Sequence, residues 1–273
     1  MTTSASCQSI RLLAVDLDGT LLDSQQTIPS DARCAIRDFV DKGGLVCLAT
    51  ARPPRSTRRF AEELDLDDPS ICYNGAMVVR PITGAVLLHR PLPPELARSI
   101  ISALLAADPD VWISLESMDK WLTDRLADDF PTQTALSFRP DEIGPIEGFL
   151  ERTITKILAS SKSLSCSELL AALNSSSGGD CATVTIEDRL LQITAPGVDK
   201  GSALRFVATR HGVSRSRILA VGNDLNDLPL LEEAAYGAAV GNAHERLRQV
   251  AALVGPSNDA GGVTWIMKEF DLV

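Results

Sequence analysis

Two aspartates stand two positions apart, directly after a short apolar run near the start of the chain. Asp16 and Asp18 follow Ile10 to Val15, which is typical of a strand buried on both faces of a parallel sheet. In an extended segment, residues i and i+2 point to the same side, so both carboxylates can face one small volume. Such a pair can supply a nucleophile and a proton donor. Taken alone, it can equally be a turn in which Asp18 caps a helix.

Three further polar groups follow predicted strands or begin predicted helices downstream. Thr50 comes after the apolar run Leu45 to Ala49 and can offer its hydroxyl to phosphate oxygens. Lys200, at the start of a predicted helix, can offer a positive charge to the same anion. The segment 222–227 (GNDLND) carries oxygen ligands suited to a hard cation such as Mg²⁺.

Together these groups suit phosphoryl transfer. Asp16 can attack phosphorus, and Asp18 can protonate the leaving oxygen. An anionic nucleophile approaches a phosphate dianion only where a cation neutralises charge, which a metal ion and Lys200 would do. Each group also has an ordinary structural explanation, as a helix cap, a solvated lysine or a turn. Their joint occurrence in this chain order favours the chemical interpretation.

The elements that must position these residues alternate between strand and helix at both ends of the chain, which predicts a Rossmann-like α/β core with a parallel sheet. Between residues 81 and 195 the regular alternation stops, and predicted strands and helices are mixed. They include a predicted hairpin of Thr183–Ile186 with Leu190–Thr194. We therefore expect a core domain made of residues 1–80 and 196–273, with an α+β cap domain inserted at 81–195.

Composition narrows the class of protein. The chain has 273 residues, 45% of them hydrophobic, and a net charge of -10, which argues against a nucleic-acid or membrane-surface partner. No apolar run approaches the ~18 residues of a membrane span. Met1 to Ser9 lacks the features of a secretory signal, so we expect a cytoplasmic protein. The six cysteines include no CxxC pair, so neither a zinc site nor a disulfide is predicted.

The motifs resemble those of the haloacid dehalogenase (HAD) superfamily of phosphohydrolases, and within it the Cof-type branch with a type IIB cap. The resemblance covers essentially the whole chain. It is carried by DLDGTLL at 16–22, ATAR at 49–52, YNGA at 73–76, GVDKGSAL at 197–204 and GNDLNDLPLL at 222–231.

The resemblance implies roles for individual residues. Asp16 would be the nucleophile and Asp18 the general acid and base, with Thr50 and Lys200 holding the phosphoryl group. Substrate contacts would come from Thr50, Arg52, Asn74, Lys200 and Asn226. The Mg²⁺ site would be formed by Asp16, Asp18, Asn223, Asp224 and Asp227, the last also orienting Lys200. The inserted cap would close over the substrate and exclude water.

Two residues depart from the usual pattern of the branch. Asn223 stands where an aspartate usually follows the glycine of the acidic motif, which removes one negative charge from the expected metal site. Ala51 replaces the glycine of the usual Thr-Gly-Arg, and its Cβ narrows the approach of a substrate to that backbone.

The expected function is therefore that of a Mg²⁺-dependent phosphatase, acting through an aspartyl-phosphate on a small phosphorylated metabolite, with sugar phosphates as the leading class. Two alternatives stay open at this point. One is a phosphosugar mutase or another phosphotransferase, because nothing in the motifs separates transfer to water from transfer to a sugar hydroxyl. The other is a non-catalytic protein that binds a phosphorylated metabolite.

Overall fold

The computed structural model describes residues 10–126, 133–176, 180–186 and 188–273. The start, Met1 to Ser9, for which no signal is predicted, lies outside the described residues. The chain divides into two compact units, Met1–Leu87 with Asp199–Val273, and Leu88–Val198. Both boundaries fall slightly later than the limits 81 and 195 expected from the sequence.

The elements follow one another in three stretches. The first contains β1 (Leu12–Val15), α1 (Ser30–Asp41), β2 (Leu45–Leu48), α2 (Pro54–Leu64), β3 (Ser70–Cys72), β4 (Met77–Val79) and β5 (Val86–His89). The second contains α3 (Pro94–Ala107), β6 (Trp112–Ser117), β7 (Lys120–Thr123), α4 (Gln133–Ser137), β8 (Glu142–Ile143), α5 (Ile146–Phe149), β9 (Lys156–Ser160), α6 (Cys166–Ser175), β10 (Ala182–Ile186) and β11 (Leu190–Thr194). The third contains α7 (Lys200–Arg210), β12 (Ile218–Gly222), α8 (Leu228–Glu233), β13 (Tyr236–Ala239), α9 (Glu245–Val250), β14 (Leu253–Val254) and α10 (Gly262–Glu269).

The first unit is built on a parallel sheet in the strand order β14-β13-β12-β1-β2. Strand β1 pairs with β12 on one side and with β2 on the other, with Leu12 aligned to both Ile218 and Leu45. All four residues of β1 are buried, as expected for an apolar strand in the middle of a parallel sheet. Because the strands run parallel, their carboxyl ends lie at one edge, where open α/β sheets bind ligands.

The apolar core of the first unit lies between this sheet and the helices that follow its strands. Helix α1 buries Ile36 and Phe39, and α10 buries Ile266 and Met267, in one cluster with the sheet residues. Strand β3 continues the sheet beyond β2 through a single parallel bridge between Ala49 and Ile71. This bridge brings the end of β3 next to Thr50.

The second unit is a sheet in the order β10-β11-β9-β6-β7-β8, in which the pairs are antiparallel except for β7 with β8. Alternate residues such as Ile113, Leu115 and Ile157 form one cluster with the apolar side chains of α3 and α6. The predicted hairpin is present as β10 and β11. The fold class expected from the sequence, a parallel α/β core with an inserted α+β cap, is confirmed.

Among the helices within the described residues, none combines the length and apolar character needed to cross a membrane.

Candidate active site

The turn after β1 presents the first two aspartates. The backbone amide of Asp16 still belongs to the sheet, donating to the carbonyl of Val221 at 3.0 Å. The following residues, Leu17–Leu21, form an irregular helical turn in which Asp18 has non-helical angles and Gly19 has a φ of 74°. Asp16 is therefore buried at 5% exposure, whereas 39% of the Asp18 side chain is exposed.

Lys200 is the first residue of α7, and its side chain extends to the carboxylate of Asp16. This helix begins at Asp199, whose carboxylate accepts a hydrogen bond from the amide of Ser202 at 2.6 Å. The Nζ atom of Lys200 lies 2.7 Å from Oδ1 of Asp16 and 2.6 Å from Oδ1 of Asp227. The structure thus brings together three residues that the sequence places far apart, with the ammonium group between two buried carboxylates.

The charges of this trio perturb one another. Burial raises the pKa of Asp16 to about 7, the negative charge of Asp227 adds to the rise, and Lys200 opposes it. Burial alone would lower the pKa of Lys200, but the two carboxylates outweigh it and raise that pKa above its ordinary value. Lys200 therefore carries its positive charge in this site. One ammonium does not fully offset the surrounding carboxylates, so the pocket can accept further positive charge.

The segment after β12 is organised by Asp227. Its Oδ2 accepts hydrogen bonds from the backbone amides of Asn223 at 3.0 Å and Asp224 at 3.1 Å, while its Oδ1 faces Lys200. Gly222 makes this turn possible, because a Cβ there would lie 2.6 Å from the Cβ of Asp227. Both oxygens of Asp227 are engaged in positioning the loop and the lysine. Of the five predicted metal ligands, Asp227 is thus the one that the geometry ties most closely to a positioning role.

Asn223 and Asp224 lie at the rim of the same loop. The amide oxygen of Asn223 accepts a hydrogen bond from the Thr20 hydroxyl at 3.0 Å, which ties the acidic loop to the turn after β1. Asp224 is exposed, and its Oδ1 accepts the amide of Leu225 at 2.7 Å.

Thr50 and Arg52 follow β2. Thr50 is fully buried, and its hydroxyl oxygen accepts a hydrogen bond from the backbone amide of Arg52 at 3.1 Å. The guanidinium of Arg52 forms a two-pronged pair with Asp18, from Nε to Oδ2 at 2.8 Å and from Nη2 to Oδ1 at 2.5 Å. In this structure the predicted substrate-binding arginine is thus held against the predicted acid and base.

Asn74 and Asn226 meet at the end of β3. The side-chain amide of Asn226 donates to the side-chain oxygen of Asn74 at 3.0 Å. Asn74 has a φ of 55°, in the left-handed region that asparagine tolerates better than most residues. The contact joins the end of β3 to the acidic loop.

Oxygen donors at this edge of the sheet fit Mg²⁺ by their chemistry. They are the carboxylate of Asp16, the main-chain carbonyl of Asp18 and the side-chain oxygens of Asn223 and Asp224. Within the described ranges, no three His, Cys, Asp or Glu side chains form a cluster that could hold a metal by themselves.

Some residues at the site were given no role by the sequence. Asn242 donates to the carbonyl of Gly19 at 2.8 Å, and Asn258 donates to the carbonyl of Leu22 at 2.8 Å, so both brace the turn that carries the aspartates. The partners of both asparagines depend on the fold, so their roles do not follow from the sequence. Gln26, which accepts a hydrogen bond from Arg52 at 2.5 Å, has no sequence signal at all.

The family model for haloacid dehalogenase-like hydrolases matches residues 13–267, nearly the whole chain. The chain belongs to this family. The resemblance expected from the motifs is therefore confirmed.

Characterised relatives of this family include two phosphatases from Bacillus subtilis, each named for the dephosphorylation of 5-amino-6-(5-phospho-D-ribitylamino)uracil. YitU is 27% identical over 276 residues, covering 95% of this chain and 97% of the relative. YcsE is 27% identical over 267 residues, covering 96% of each. The predicted enzyme class, a phosphoric monoester hydrolase of the HAD superfamily, is confirmed.

Solved structures show the same fold. TM0651 from Thermotoga maritima has a TM-score of 0.83 at 27% identity, covering 95% of this chain and 97% of its own. The HAD subclass IIB sugar phosphatase BT4131 has a TM-score of 0.84 at 20% identity, covering 96% of this chain and all of its own. This second likeness confirms the architecture of a HAD core with a type IIB cap.

Proposed function

We propose that this chain is a Mg²⁺-dependent phosphatase that hydrolyses a small phosphorylated metabolite, a sugar or sugar-alcohol phosphate, through an aspartyl-phosphate on Asp16. The observation that carries the proposal is the buried contact of Lys200 with Asp16 and Asp227. The relatives support the substrate class, since one is named as a sugar phosphatase and two act on a phosphorylated ribityl group. Location in the cytoplasm stays a prediction from the sequence.

The proposed first step transfers the phosphoryl group to the protein. A carboxylate oxygen of Asp16 attacks phosphorus, the bond from phosphorus to the leaving oxygen breaks, and Asp18 gives its proton to that oxygen. Lys200 and the Thr50 hydroxyl hold the phosphoryl oxygens. The ammonium group lies 2.7 Å from the nucleophile, so it also offsets the repulsion between carboxylate and phosphate.

The proposed second step releases phosphate. Asp18 takes a proton from water as the water oxygen attacks phosphorus, and the bond between phosphorus and Asp16 breaks. The exposed part of Asp18 suits this exchange with solvent and substrate, whereas the buried Asp16 suits a nucleophile that is kept from water. Asn74 and Asn226, joined by their side chains, are proposed to contact the substrate near its phosphate.

The proposed Mg²⁺ ligands are the Asp16 carboxylate, the Asp18 carbonyl and a side-chain oxygen of Asn223 or Asp224. When bound, the ion supplies the positive charge that lets an anionic nucleophile approach a phosphate dianion. Asp227 is proposed to act behind these ligands, through its hydrogen bonds to Lys200 and to the amides of Asn223 and Asp224.

The test is phosphate release from a panel of sugar and sugar-alcohol phosphates, with Mg²⁺ and with EDTA. We expect turnover only with the metal, and a loss of at least ~10³-fold in Asp16→Asn, because no covalent intermediate can form. Asp41→Asn, at an exposed carboxylate near the end of α1, is the matched control and should retain activity. Undiminished turnover in Asp16→Asn would refute the mechanism. Appearance of a hexose 6-phosphate from a hexose 1-phosphate, without free phosphate, would show a mutase instead.

A further inference from the structure

We propose that Arg52 and Gln26 are positioning residues for Asp18, and that they hold its carboxylate in the orientation from which it protonates the leaving oxygen. The inference deepens the proposed function and rests on it. It changes the role expected for Arg52, which the sequence placed among the substrate contacts, and it gives a role to Gln26, for which the sequence predicted none.

The contact between Arg52 and Asp18 fixes the plane of a carboxylate. Two parallel bonds, at 2.8 and 2.5 Å, use one lone pair on each carboxylate oxygen, and such a fork sets orientation as well as distance. The Arg52 side chain is 5% exposed, whereas that of Asp18 is 39% exposed. The arginine of the pair is therefore buried and fixed. The carboxylate of Asp18 remains partly exposed to solvent, and its remaining lone pairs can face a substrate.

Arg52 is itself held by several independent contacts. Its backbone amide donates to the Thr50 hydroxyl, and its carbonyl accepts the amide of Tyr73 at 3.0 Å. Its guanidinium lies 5.1 Å from the centre of the Phe60 ring. A move of Arg52 onto a substrate phosphate would break the Asp18 pair and the Phe60 contact together. This favours a fixed support over a mobile phosphate ligand.

Gln26 completes the support from the other side. Its side-chain oxygen accepts a hydrogen bond from Nη2 of Arg52 at 2.5 Å, the same nitrogen that donates to Asp18. Gln26 has a φ of 60°, a conformation uncommon for glutamine. The amide oxygen thus directs the guanidinium without adding a negative charge that would compete with the Asp18 carboxylate for it.

The loop around Gln26 is built to keep this conformation. The Gln26 amide donates to the carbonyl of Asp23 at 2.9 Å, and the Asp23 carboxylate accepts the amides of Gln25 and Thr27. The amide of Ser24 in turn donates to the carboxylate of Asp259 at 2.7 Å. A loop fixed at these points places the Gln26 side chain at a defined distance from Arg52.

General acid catalysis gives the proposal a specific kinetic signature. Protonation of the leaving oxygen is essential for an alkyl phosphate, whose alkoxide is a poor leaving group, and matters much less for an aryl phosphate such as p-nitrophenyl phosphate. The ratio kcat/KM reports the first irreversible step, in which Asp18 acts as an acid. A misplaced Asp18 should therefore impair the alkyl ester selectively, whereas a lost phosphate contact should impair both esters alike.

The experiment measures kcat/KM for ribose 5-phosphate and p-nitrophenyl phosphate, with Mg²⁺, in four variants. Arg52→Lys keeps the charge but lacks the fork, and Gln26→Asn tolerates the left-handed conformation but is too short to reach Arg52. Asp18→Asn gives the signature of a missing acid. Gln25→Asn is the matched control, because this exposed neighbour contributes its backbone amide to the turn. Thermal unfolding of each variant shows whether it folds.

We expect Arg52→Lys and Gln26→Asn to lose ~10- to 100-fold with the alkyl ester and less than ~3-fold with the aryl ester, part of the 10²–10⁴-fold that an acid supplies. Asp18→Asn should show the same selectivity with a larger loss. Equal losses on both esters in Arg52→Lys and Gln26→Asn would assign Arg52 to phosphate binding and overturn the proposal, as would wild-type ratios in both. Wild-type protein that releases phosphate neither from these two esters nor from the panel of sugar and sugar-alcohol phosphates would instead refute the proposed function.

Discussion

The Nζ atom of Lys200 lies 2.7 Å from Oδ1 of Asp16, although the two residues are 184 positions apart in the chain. Both side chains are buried, and Asp227 faces the same ammonium group at 2.6 Å. A buried charge is tolerated only where it is paired and hydrogen-bonded. The three side chains therefore depend on one another for stability as well as for chemistry.

Removal of the ammonium group should destabilise the core. Lys200→Met leaves two buried carboxylates facing each other, and we expect a loss of about 3–5 kcal/mol in the free energy of unfolding without Mg²⁺. In Lys200→Met/Asp227→Asn one of those carboxylates is neutral, so the double variant should be destabilised by less than the sum of the single variants. Urea unfolding of the wild type, Lys200→Met, Asp227→Asn and the double variant measures this coupling. Additive losses would show that the three groups do not interact.

Restoring the usual aspartate of the acidic motif should strengthen metal binding. Asn223→Asp adds a negative charge at an oxygen proposed as a Mg²⁺ ligand, and we expect half-maximal activity at ~10-fold lower Mg²⁺ concentration. Asp224→Asn removes a charge from the same loop and should shift that concentration upward. Titration of activity with Mg²⁺ measures both shifts. An unchanged Mg²⁺ requirement in both variants would place the ion elsewhere.

A methyl group on Gly19 should disturb the site more than the fold. Gly19 has a φ of 74°, and a Cβ there would lie 2.4 Å from the side-chain nitrogen of Asn223. We expect Gly19→Ala to lose about 1–3 kcal/mol of stability from the backbone conformation. Its activity should fall by more than ~10-fold, because the side chain of Asn223, a proposed metal ligand, must move away from the added methyl group. Gly84→Ala is the control, since it shares the φ of 74° but has nothing within 4 Å.

Acidification should weaken the second unit through His89. Burial lowers the pKa of His89 below its ordinary 6.5, and its Nε2 lies 2.9 Å from the Thr155 hydroxyl. The unfolded chain therefore binds a proton more readily than the folded one, so stability falls as pH drops through about 6.5. Proton NMR should give a pKa for His89 below 6.5 in the native protein, and His89→Asn should reduce the pH dependence of unfolding between pH 7.5 and 5.5. A native pKa at or above 6.5 would contradict the prediction.

Elements with strong local patterns could be predicted from the sequence. The proline at 94 and the apolar residues that follow it at helical spacing predict a helix at 94–107, and α3 spans Pro94–Ala107. The apolar run at 154–158 predicts a strand there, whereas β9 spans Lys156–Ser160, because pairing with β6 extends it to the polar Ser160 opposite Trp112. Strand β7, Lys120–Thr123, cannot be predicted from the sequence, because four residues are too few to show a clear alternating pattern and the strand forms by pairing with β6.

The candidate site likewise contains residues that could be predicted from the sequence and contacts that could not. Motif residues such as Asp16 and Lys200 could be predicted, because each stands at the end of a strand or the start of a helix and parallel strands end at one edge. The pairing of Arg52 with Asp18 could not, because it depends on the direction of a long side chain that is set by Phe60 and Gln26. Such contacts arise only once the loops are packed.

The central position of β1, hydrogen-bonded to β2 on one side and to β12 on the other, also constrains when the enzyme can become competent during its synthesis. A nascent chain that has emerged from the ribosome only as far as the end of the insertion contains Asp16, the proposed nucleophile, but neither Lys200 nor the acidic loop. The proposed catalysis therefore requires that the last quarter of the polypeptide has been translated and that its strand β12 has paired with β1. Two fragments divided within the insertion would each be inert, and activity would return only on their reassociation.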